Sequence, residues 1–378
     1  MITTLAVRGY RSLVDLVVPL GRTTVVSGAN GSGKSSLYRA LRLLAAASRG
    51  RTVRAVAEEG GLGSVLWAGP ETPQGPGAQG GVRSGPLSVS LGFAADELGY
   101  LVDLGAPQID PASLFVRDPE IKREQVFAGP FAKPATTFVD RDRASARVRD
   151  GAWRAVDQPL APHESILTDL ADVDATLELL ALRRQLAGWR FYDHIRTDRD
   201  APCRQPQVGT RTRRLAHDGS DLAAAWATAS EAGLADRLDQ EVARAFPGCR
   251  VEISGGDAFR LRMRQPGLLR PLDASELSDG TLRYLLLVAA LVPAAPAPFV
   301  VLNEPEASLH PDLLAPLARL IAHASEASQI LVVTHADALR TALADAGAET
   351  IALESAGWGT RVSGQDPLDQ PPWRWPKR

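Results

Sequence analysis

The sequence predicts an α/β fold in which a largely parallel β-sheet is covered by helices on both faces. One observation is an apolar strand at residues 22–27 that runs into a glycine-rich turn and then into a helix with one apolar face. A second is the regular alternation of strands and helices from residue 275 to residue 353. Such alternation is typical of parallel sheets, because each return to a parallel strand needs a long crossover.

The composition indicates a soluble globular protein. Of 378 residues, 45% are hydrophobic and 23% are charged, and the formal net charge is -2. This balance creates no overall positive field toward nucleic acid or a membrane. Prolines interrupt the longest apolar run, 285–302, which favours a helix followed by a buried strand over a membrane span. Cys203 and Cys249 lack metal-ligand spacing, and a cytoplasmic protein without membrane contact is expected.

The first two thirds of the chain carry the weaker patterns. Residues 69–86 are rich in glycine and proline and predict a loop. Residues 164–245 are mostly helical in pattern, without the sustained heptads of a long coiled coil. The other expected elements are strands at 1–8, 16–20, 22–27 and within 87–104, and a helix at 35–47.

The last third of the chain carries the clearest patterns. A hairpin is predicted at 250–264, where apolar residues alternate on both sides of a Gly-Gly-Asp turn. The Pro- and Trp-rich tail, 371–378, is expected to dock on its own domain. The remaining expected elements are a helix from Ser278, a strand at 299–302, a helix at 311–327, a strand at 329–334, a helix at 336–346 and a strand at 350–353.

The glycine-rich turn at Gly28–Ser35 matches the pattern G-x-x-x-x-G-K-[ST] completely. Glycines allow the backbone N–H groups to surround phosphates, and the following helix presents its positive end to them. Lys34 is predicted to reach the β- and γ-phosphates, and the hydroxyl of Ser35 is predicted to bind Mg²⁺. The alternative is an ordinary glycine-rich turn, which the strand–loop–helix context disfavours. ATP and Mg²⁺ are therefore the expected cofactors.

Two later strands end in polar residues. The strand at 299–302 leads into Asn303 and Glu304, and the strand at 329–334 leads into His335. In a parallel sheet these ends face the ligand crevice, so Glu304 is the candidate general base and His335 the candidate partner of the γ-phosphate. Asn303 stands where an Asp would usually hold a metal-bound water. Taken alone, a solvated carboxylate and a structural histidine would be the simpler interpretations.

Residues 276–284 open a helix with Ser278 as a good N-cap. Ser278 and Gly280 would offer donors to an anion at the helix N-terminus. Simple capping is the commoner role of a Ser-Asp-Gly sequence. The order of the phosphate loop, this element, the acidic strand and the Thr-His strand favours the binding role.

This series resembles the motifs of ABC ATPases: Walker A at 28–35, the signature at 277–281, Walker B at 299–304, the D-loop around 307–310 and the switch histidine His335. The opening segment, 5–13, resembles the heads of RecF, SMC and OLD proteins more than transporter ATPases. Asn303 and Asp279 depart from the commonest residues of these motifs. A Q-loop glutamine is not evident near Trp67, and a Toprim nuclease domain such as OLD proteins carry is not expected after the motifs.

The resemblance implies an ABC-type P-loop NTPase head, with a RecA-like parallel core, an antiparallel β part and a mainly helical inserted lobe. The N-terminal part of the head, with Walker A, would span 1–110, and an inserted mixed or helical lobe would span 111–245. The C-terminal part of the head, with the signature, Walker B and the switch histidine, would span 246–378. Its implied catalytic residues are Glu304 and His335, and Ser35 and Asn303 (through water) would hold the metal. The implied nucleotide-binding residues are Arg11, Asn30, Gly31, Ser32, Gly33, Lys34, Ser35, Ser36, Ser278 and Gly280.

Residues 183–214 carry nine arginines, and Trp189, Phe191 and Tyr192 lie among them. One interpretation is a DNA-backbone surface with stacking aromatic rings. The other is a solvated surface on which arginines pair with neighbouring carboxylates. The two are weighed about evenly, with the resemblance slightly favouring nucleic acid.

The expected function is ATP binding and hydrolysis coupled to the closure of a homodimer of heads, in DNA maintenance or phage defence. DNA and a companion effector protein are candidate partners. The first alternative is an ATP-gated binding module with little hydrolysis, which Asn303 favours. The second, a transporter ATPase subunit, is disfavoured by the N-terminal resemblance and by the large insertion.

Overall fold

The structure is a computed structural model that describes residues 1–67, 69, 88–108, 114–115, 117–170, 177–193, 195–356 and 359–376. The chain divides into two compact units. The first comprises Met1–Gly21, Gly28–Trp189 and Ile351–Arg378, and the second comprises Arg22–Ser27 and Arg190–Thr350. The loop predicted at 69–86 lies outside the described residues, apart from Gly69.

The strands and helices follow one another in mixed order along the chain. The strands are β1 (Ile2–Tyr10), β2 (Leu13–Pro19), β3 (Thr23–Gly28), β4 (Ser88–Ala95), β5 (Gly99–Gly105), β6 (Glu120–Phe127), β7 (Thr137–Asp142), β8 (Ser145–Asp150), β9 (Ala152–Ala155), β10 (Arg190–Tyr192), β11 (Arg250–Ser254), β12 (Arg260–Arg264), β13 (Leu272–Asp273), β14 (Phe299–Asn303), β15 (Gln329–Val333), β16 (Glu349–Ser355) and β17 (Thr360–Val362). The helices are α1 (Lys34–Ala47), α2 (Thr52–Glu58), α3 (Leu62–Val65), α4 (Ile166–Asp169), α5 (Leu177–Ala187), α6 (Leu222–Ala229), α7 (Ala235–Ala245), α8 (Asp279–Leu291), α9 (Leu314–Ser325) and α10 (Asp337–Asp345).

The first unit is built on an eight-stranded antiparallel sheet in the order β2-β1-β4-β5-β6-β7-β8-β9. In β1, Val7 pairs with Leu16 of β2 and with Leu91 of β4, and all three side chains are buried. Helix α1 lies against β1 and β4. The strands predicted at 1–8 and 16–20 are confirmed, and the alternation within 87–104 corresponds to β4 and β5.

The second unit contains a parallel sheet in the order β10-β14-β15-β3. Its central strands, β14 and β15, are apolar except for one end residue each, Asn303 and Gln329, and Leu302 and Val332 are fully buried. Such continuous apolar strands are typical of a parallel sheet covered on both faces. The predicted parallel α/β arrangement of the C-terminal third is therefore confirmed.

A three-stranded antiparallel sheet, β11-β12-β13, also belongs to the second unit. In the predicted hairpin, Ile253 pairs with Leu261 and Val251 pairs with Met263, so the apolar residues share one face. That face packs on the core of the unit. The hairpin prediction at 250–264 is confirmed.

Some boundaries differ from the sequence patterns. The helix expected at 311–327 begins as a short 3-10 turn at Pro311–Leu313 and continues as α9. The middle segment, 111–245, contains strands β6 to β9 before its helices, because alternating residues such as Val126 and Val139 pair across the antiparallel sheet. The division at 110 and 245 stays a prediction.

The C-terminal tail docks on the first unit, as expected. The Trp373 ring packs edge-on against Phe127, with ring centroids 6.0 Å apart. The indole N–H of Trp375 donates to Asp15 over 3.1 Å. Among the described residues, every helix is too short or too polar to cross a membrane.

Candidate functional site

The phosphate loop lies in the first unit and leads directly into helix α1. Gly33, just before the helix, has a φ of 98°, which favours glycine. A Cβ atom there would lie 2.3 Å from the hydroxyl oxygen of Thr360 and 3.0 Å from that of Ser12. The loop backbone therefore approaches its neighbours too closely for any side chain at this position.

The ammonium group of Lys34 is held against the loop. Its Nζ donates to the carbonyl oxygen of Gly28 over 2.6 Å and to that of Ala29 over 3.0 Å. The lysine residue is 7% exposed, so these contacts fix its position inside the loop. A positive charge is thus held inside the loop, where it could meet an anion bound by the loop backbone.

The other predicted loop residues differ in exposure. Asn30, Gly31 and Ser35 are exposed, and Ser36 is half-buried. Ser32 is buried, and its hydroxyl oxygen has no hydrogen-bond partner among the described residues. The first N–H groups of a 14-residue helix have no partner within the helix, so the start of α1 offers free donors beside the hydroxyl of Ser35.

Arg11 lies in the turn between β1 and β2 with a φ of 49°. Its guanidinium donates to Glu59 over 2.8 Å, and the hydroxyl of Tyr10 donates to the same carboxylate over 2.5 Å. Burial raises the pKa of Tyr10, so its hydroxyl remains a donor. The predicted contact of Arg11 with phosphates stays a prediction, and in this structure its partner is Glu59.

Glu304 and His335 meet at the carboxyl ends of two parallel strands of the second unit. Asn303, the last residue of β14, is in register with Val333, the last residue of β15. The N–H of Glu304 donates to the carbonyl oxygen of Val333 over 2.8 Å, and Glu304 has a φ of 48°. Nδ1 of His335 lies 3.6 Å from Oε1 of Glu304, and both side chains are about half exposed. The structure therefore brings together the two predicted catalytic residues.

Glu306 is a third group at this place, and the sequence interpretation missed it. Its Oε1 accepts from the hydroxyl of Thr334 over 2.5 Å and from the N–H of His335 over 3.3 Å. Nδ1 of His335 lies 3.5 Å away. The side chain is 6% exposed, and Oε2 has no partner among the described residues. The available signal was a second glutamate two positions after Glu304.

Arg283 of helix α8 holds the turn that carries Glu304. Its guanidinium donates to the carbonyl oxygens of Glu304 over 2.9 Å, Ile195 over 3.1 Å and Pro305 over 3.5 Å. Burial lowers the pKa of Arg283, and the carboxylates of Glu306 and Glu304 oppose that shift. The backbone on both sides of the Glu304 side chain is therefore anchored.

The predicted signature opens helix α8 in the second unit. Ser278 is its N-cap and accepts from the N–H of Thr281 over 3.2 Å, while its side chain remains exposed. At Gly280, a Cβ atom would lie 2.8 Å from the carbonyl oxygen of Ser308. Close packing against the segment after β14 therefore explains this glycine. Ser278, Gly280 and Thr281 line an open groove of about 700 Å³ with residues 308–313.

The arginine-dense segment is largely engaged with protein groups. Arg211 pairs with Glu231 over 2.8 Å, and Arg214 donates to the carbonyl oxygens of Ala295 and Pro296. The prediction of stacking aromatic rings is wrong, because burial among apolar neighbours leaves them no face for a base. The buried aromatic residues are Trp189, Phe191 and Tyr192.

The described residues contain no group of three His, Cys, Asp or Glu side chains that could hold a metal ion. Both cysteines are free thiols, and burial raises the pKa of Cys203 to about 11, which makes it a poor nucleophile or ligand. The ligands predicted for Mg²⁺ are the hydroxyl of Ser35, the amide of Asn303 through water, and phosphate oxygens of the nucleotide. A site of this kind needs no cluster of His, Cys, Asp or Glu, so it stays a prediction.

Comparisons with solved structures show the fold. A crystal structure of an SMC head bound to the C-winged helix domain of ScpA is 14% identical, with 97% of this chain and 98% of that chain covered and a TM-score of 0.53. An SMC head with an extended coiled coil from Pyrococcus furiosus, bound to the C-terminal domain of ScpA, is 14% identical, with 96% and 95% covered and a TM-score of 0.52. A search of curated proteins found no match.

The likeness to solved SMC heads confirms the predicted fold, an α/β P-loop NTPase head of the ABC type. A family model adds a match over residues 23–341, from strand β3 to helix α10. That interval includes the phosphate loop, the signature, Glu304 and His335. The chain belongs to the family described as "AAA domain, putative AbiEii toxin, Type IV TA system".

Proposed function

We propose that this protein binds ATP with Mg²⁺ and hydrolyses it, and that hydrolysis is coupled to the closure of two copies of the chain. The observation that carries the proposal is the meeting of Glu304 and His335 at the ends of β14 and β15. A half-exposed carboxylate can accept a proton from an attacking water, and a histidine beside it can donate to a phosphate oxygen.

The phosphate loop fits a nucleotide. Lys34 provides a buried cation, and the start of α1 provides free N–H donors, as a triphosphate requires. The residues that would hold Mg²⁺ are Ser35, through its hydroxyl, and Asn303, through water. Mg²⁺ supplies charge neutralisation of the phosphate oxygens. Asn30, Gly31, Ser32, Gly33 and Ser36 would contribute loop contacts, and Arg11 would reach a phosphate on leaving Glu59.

In this proposal, side chains of this protein accept the proton that the attacking water loses. Glu304 would take the proton of the attacking water at its carboxylate. Glu306 keeps His335 in place through the Thr334 hydroxyl and the His335 N–H. Arg283 holds the backbone of Glu304, so the carboxylate has little freedom to swing away.

Dimer closure is proposed from the signature. Ser278 exposes its hydroxyl at the start of α8, beside the groove that residues 308–313 complete. The positive end of that helix suits a γ-phosphate. In the ABC ATPases that the motifs resemble, this phosphate belongs to the nucleotide of the other subunit. A homodimer with two shared ATP molecules follows.

The family description names a putative toxin of a type IV toxin–antitoxin system, and such a system implies a companion protein. Phage defence and DNA maintenance both stay part of the proposal. The SMC heads that share the fold are bound to ScpA domains, a precedent for partner binding to such a head. DNA stays a candidate partner through exposed arginines. The predicted cytoplasmic location is part of the proposal.

An ATP-gated binding module with little turnover is the second candidate. Asn303 favours it, because an amide brings no charge to the metal's water shell. The deciding measurement is ATP turnover by the purified protein across a range of protein concentrations, with and without Mg²⁺ and with and without DNA. Mg²⁺-dependent turnover whose specific rate rises with protein concentration supports the ATPase. Saturable ATP binding without turnover supports the binding module.

A further inference from the structure

Arg204 lies in the arginine-dense segment, yet its guanidinium is almost entirely buried, with a side chain that is 7% exposed. The group sits in a short 3-10 turn, Pro202–Arg204, between β10 and α6. It faces the signature segment, which is 70 or more positions further along the chain. An arginine in this state cannot serve as an open contact for a nucleic acid phosphate.

The N–H groups of the Arg204 guanidinium donate to two segments, residues 274–279 and residues 197–198. Nη1 donates to the carbonyl oxygens of Ala274 over 2.9 Å, Ser275 over 3.3 Å and Leu277 over 2.7 Å. Nη2 donates to the carboxylate of Asp279 over 2.6 Å. Nε donates to the carbonyl oxygens of Thr197 and Asp198. The guanidinium therefore ties 274–279 to 197–198 through every nitrogen it has.

Asp279 and Thr281 are the two residues by which this signature, Leu-Ser-Asp-Gly-Thr, departs from the usual Leu-Ser-Gly-Gly-Gln. Asp279 is the first residue of α8, where a carboxylate is favoured by the helix dipole. Its pairing with Arg204 turns the side chain toward residues 274–277 and ties the first turn of α8 to the same guanidinium that holds those residues.

The signature loop, residues 274–279, begins as the 3-10 turn Ala274–Glu276 and ends at the first residue of α8. Leu277 and Ser278, between the two, belong to no helix or strand. The beginning of the loop is fixed by a capping box between Asp273 and Glu276. Its end, Leu277 and Ser278, has extended backbone angles. Arg204 supplies the hydrogen bonds that fix this end, since Leu277 is one of its acceptors.

We propose that Arg204 is a positioning residue of the signature. It holds the backbone of Leu277–Asp279 and pairs with Asp279, so that Ser278 and the N-terminus of α8 present donors to the nucleotide of a second copy. The inference rests on the proposed function, because its effect appears only when two copies close on ATP. The ammonium of a lysine cannot span these acceptors in one plane, so the fork geometry of arginine is required.

The test uses the full-length protein with Arg204→Lys and Asp279→Asn. The control is Arg211→Lys, which lies in the same segment with an exposed ion pair. ATP affinity is measured at a protein concentration too low for dimers, and ATP-dependent dimerisation and turnover are measured as functions of protein concentration. We expect ATP affinity within about two-fold of wild type in all three variants. Dimerisation and turnover should fall about ten-fold or more in Arg204→Lys, less in Asp279→Asn, and not in the control.

Amide hydrogen exchange of residues 274–282 provides a readout without nucleotide. Faster exchange in Arg204→Lys, together with weaker dimerisation, supports the positioning role. Normal dimerisation in Arg204→Lys and Asp279→Asn overturns it, even if exchange is faster. If Arg204→Lys fails to fold, Asp279→Asn tests the proposal instead. The Asp279 side chain is 59% exposed and the substitution removes only its charge, so this variant should fold. A wild-type protein that never dimerises with ATP overturns the proposed function, and this inference with it.

Discussion

The guanidinium of Arg283 donates to the carbonyl oxygen of Glu304 over 2.9 Å, which links the signature helix to the turn that carries the proposed base. Glu304 holds a left-handed backbone conformation, with a φ of 48°, that is unfavourable for a residue with a side chain. Such a conformation persists only when the surroundings determine it. Arg283 on one side and Val333 on the other provide that constraint.

Arg283→Lys should lower ATP turnover more than ATP affinity. A lysine can satisfy only part of the carbonyl set, and the loss of buried hydrogen bonds should cost about 1–3 kcal/mol of unfolding free energy. Urea unfolding measures the stability, and kcat and KM are measured below the transition. The control is Arg340→Lys, whose pair with Asp337 is exposed. A loss confined to stability, with kcat unchanged, would contradict the positioning of Glu304.

Glu304→Gln should bind ATP and stall before hydrolysis, so that closed dimers accumulate. The amide cannot accept the proton of water, and loss of a general base costs roughly 10²–10⁴ in rate. Turnover and light scattering with ATP measure the two effects. Glu326→Gln, at an exposed position after α9, serves as the control. Turnover within a few-fold of wild type would show that another group is the base.

Lys34→Ala should reduce ATP affinity at least about ten-fold, because hydrogen bonds to charged groups contribute about 1.5–3 kcal/mol each. Equilibrium binding of a fluorescent ATP analogue provides the measurement. Lys133→Ala removes an exposed lysine that packs on Phe131 and should leave affinity unchanged. Unaltered nucleotide affinity in Lys34→Ala would remove the site from Gly28–Ser35.

Asn303→Asp should lower the Mg²⁺ concentration needed for half-maximal turnover, by about ten-fold or more. The new carboxylate would add charge to the water shell of the ion that the ATP phosphates bring. Turnover is titrated with Mg²⁺ at fixed ATP, with Gln370→Glu as a control for added charge at an exposed position. An identical titration for Asn303→Asp would place residue 303 away from the metal.

Ser278→Arg should leave ATP binding intact and prevent closure, since a bulky side chain would meet the second copy at the signature. Ser145→Arg, at an exposed position of β8, controls for the substitution itself. Mixing Ser278→Arg with Lys34→Ala gives a sharper test. In the mixed dimer the intact loop faces the intact signature, so up to roughly a quarter of wild-type turnover should return. No recovery, with heterodimers shown to form, would contradict shared sites.

The amino-acid sequence by itself determined the local elements and their motifs. Glycines, Lys34 and Ser35 are contiguous, and the apolar runs before Glu304 and His335 show the period and length of buried strands. These features depend on neighbouring residues, so a sequence pattern records them directly. The parallel sheet of the C-terminal third could be predicted from the alternation of strands and helices, because that alternation allows few other topologies.

Tertiary structure alone decided which groups stabilise the site. Glu306 meets the hydroxyl of Thr334 28 positions later, and Arg204 meets Asp279 75 positions later. Arg283 and Arg204 mostly contact backbone carbonyl oxygens, and every residue has one, so no side-chain pattern marks the acceptor. Burial of Trp189 likewise depends on distant neighbours such as Phe93, whose ring lies 5.4 Å away. Contacts of this kind arise when the chain folds, because they join segments that no local periodicity relates.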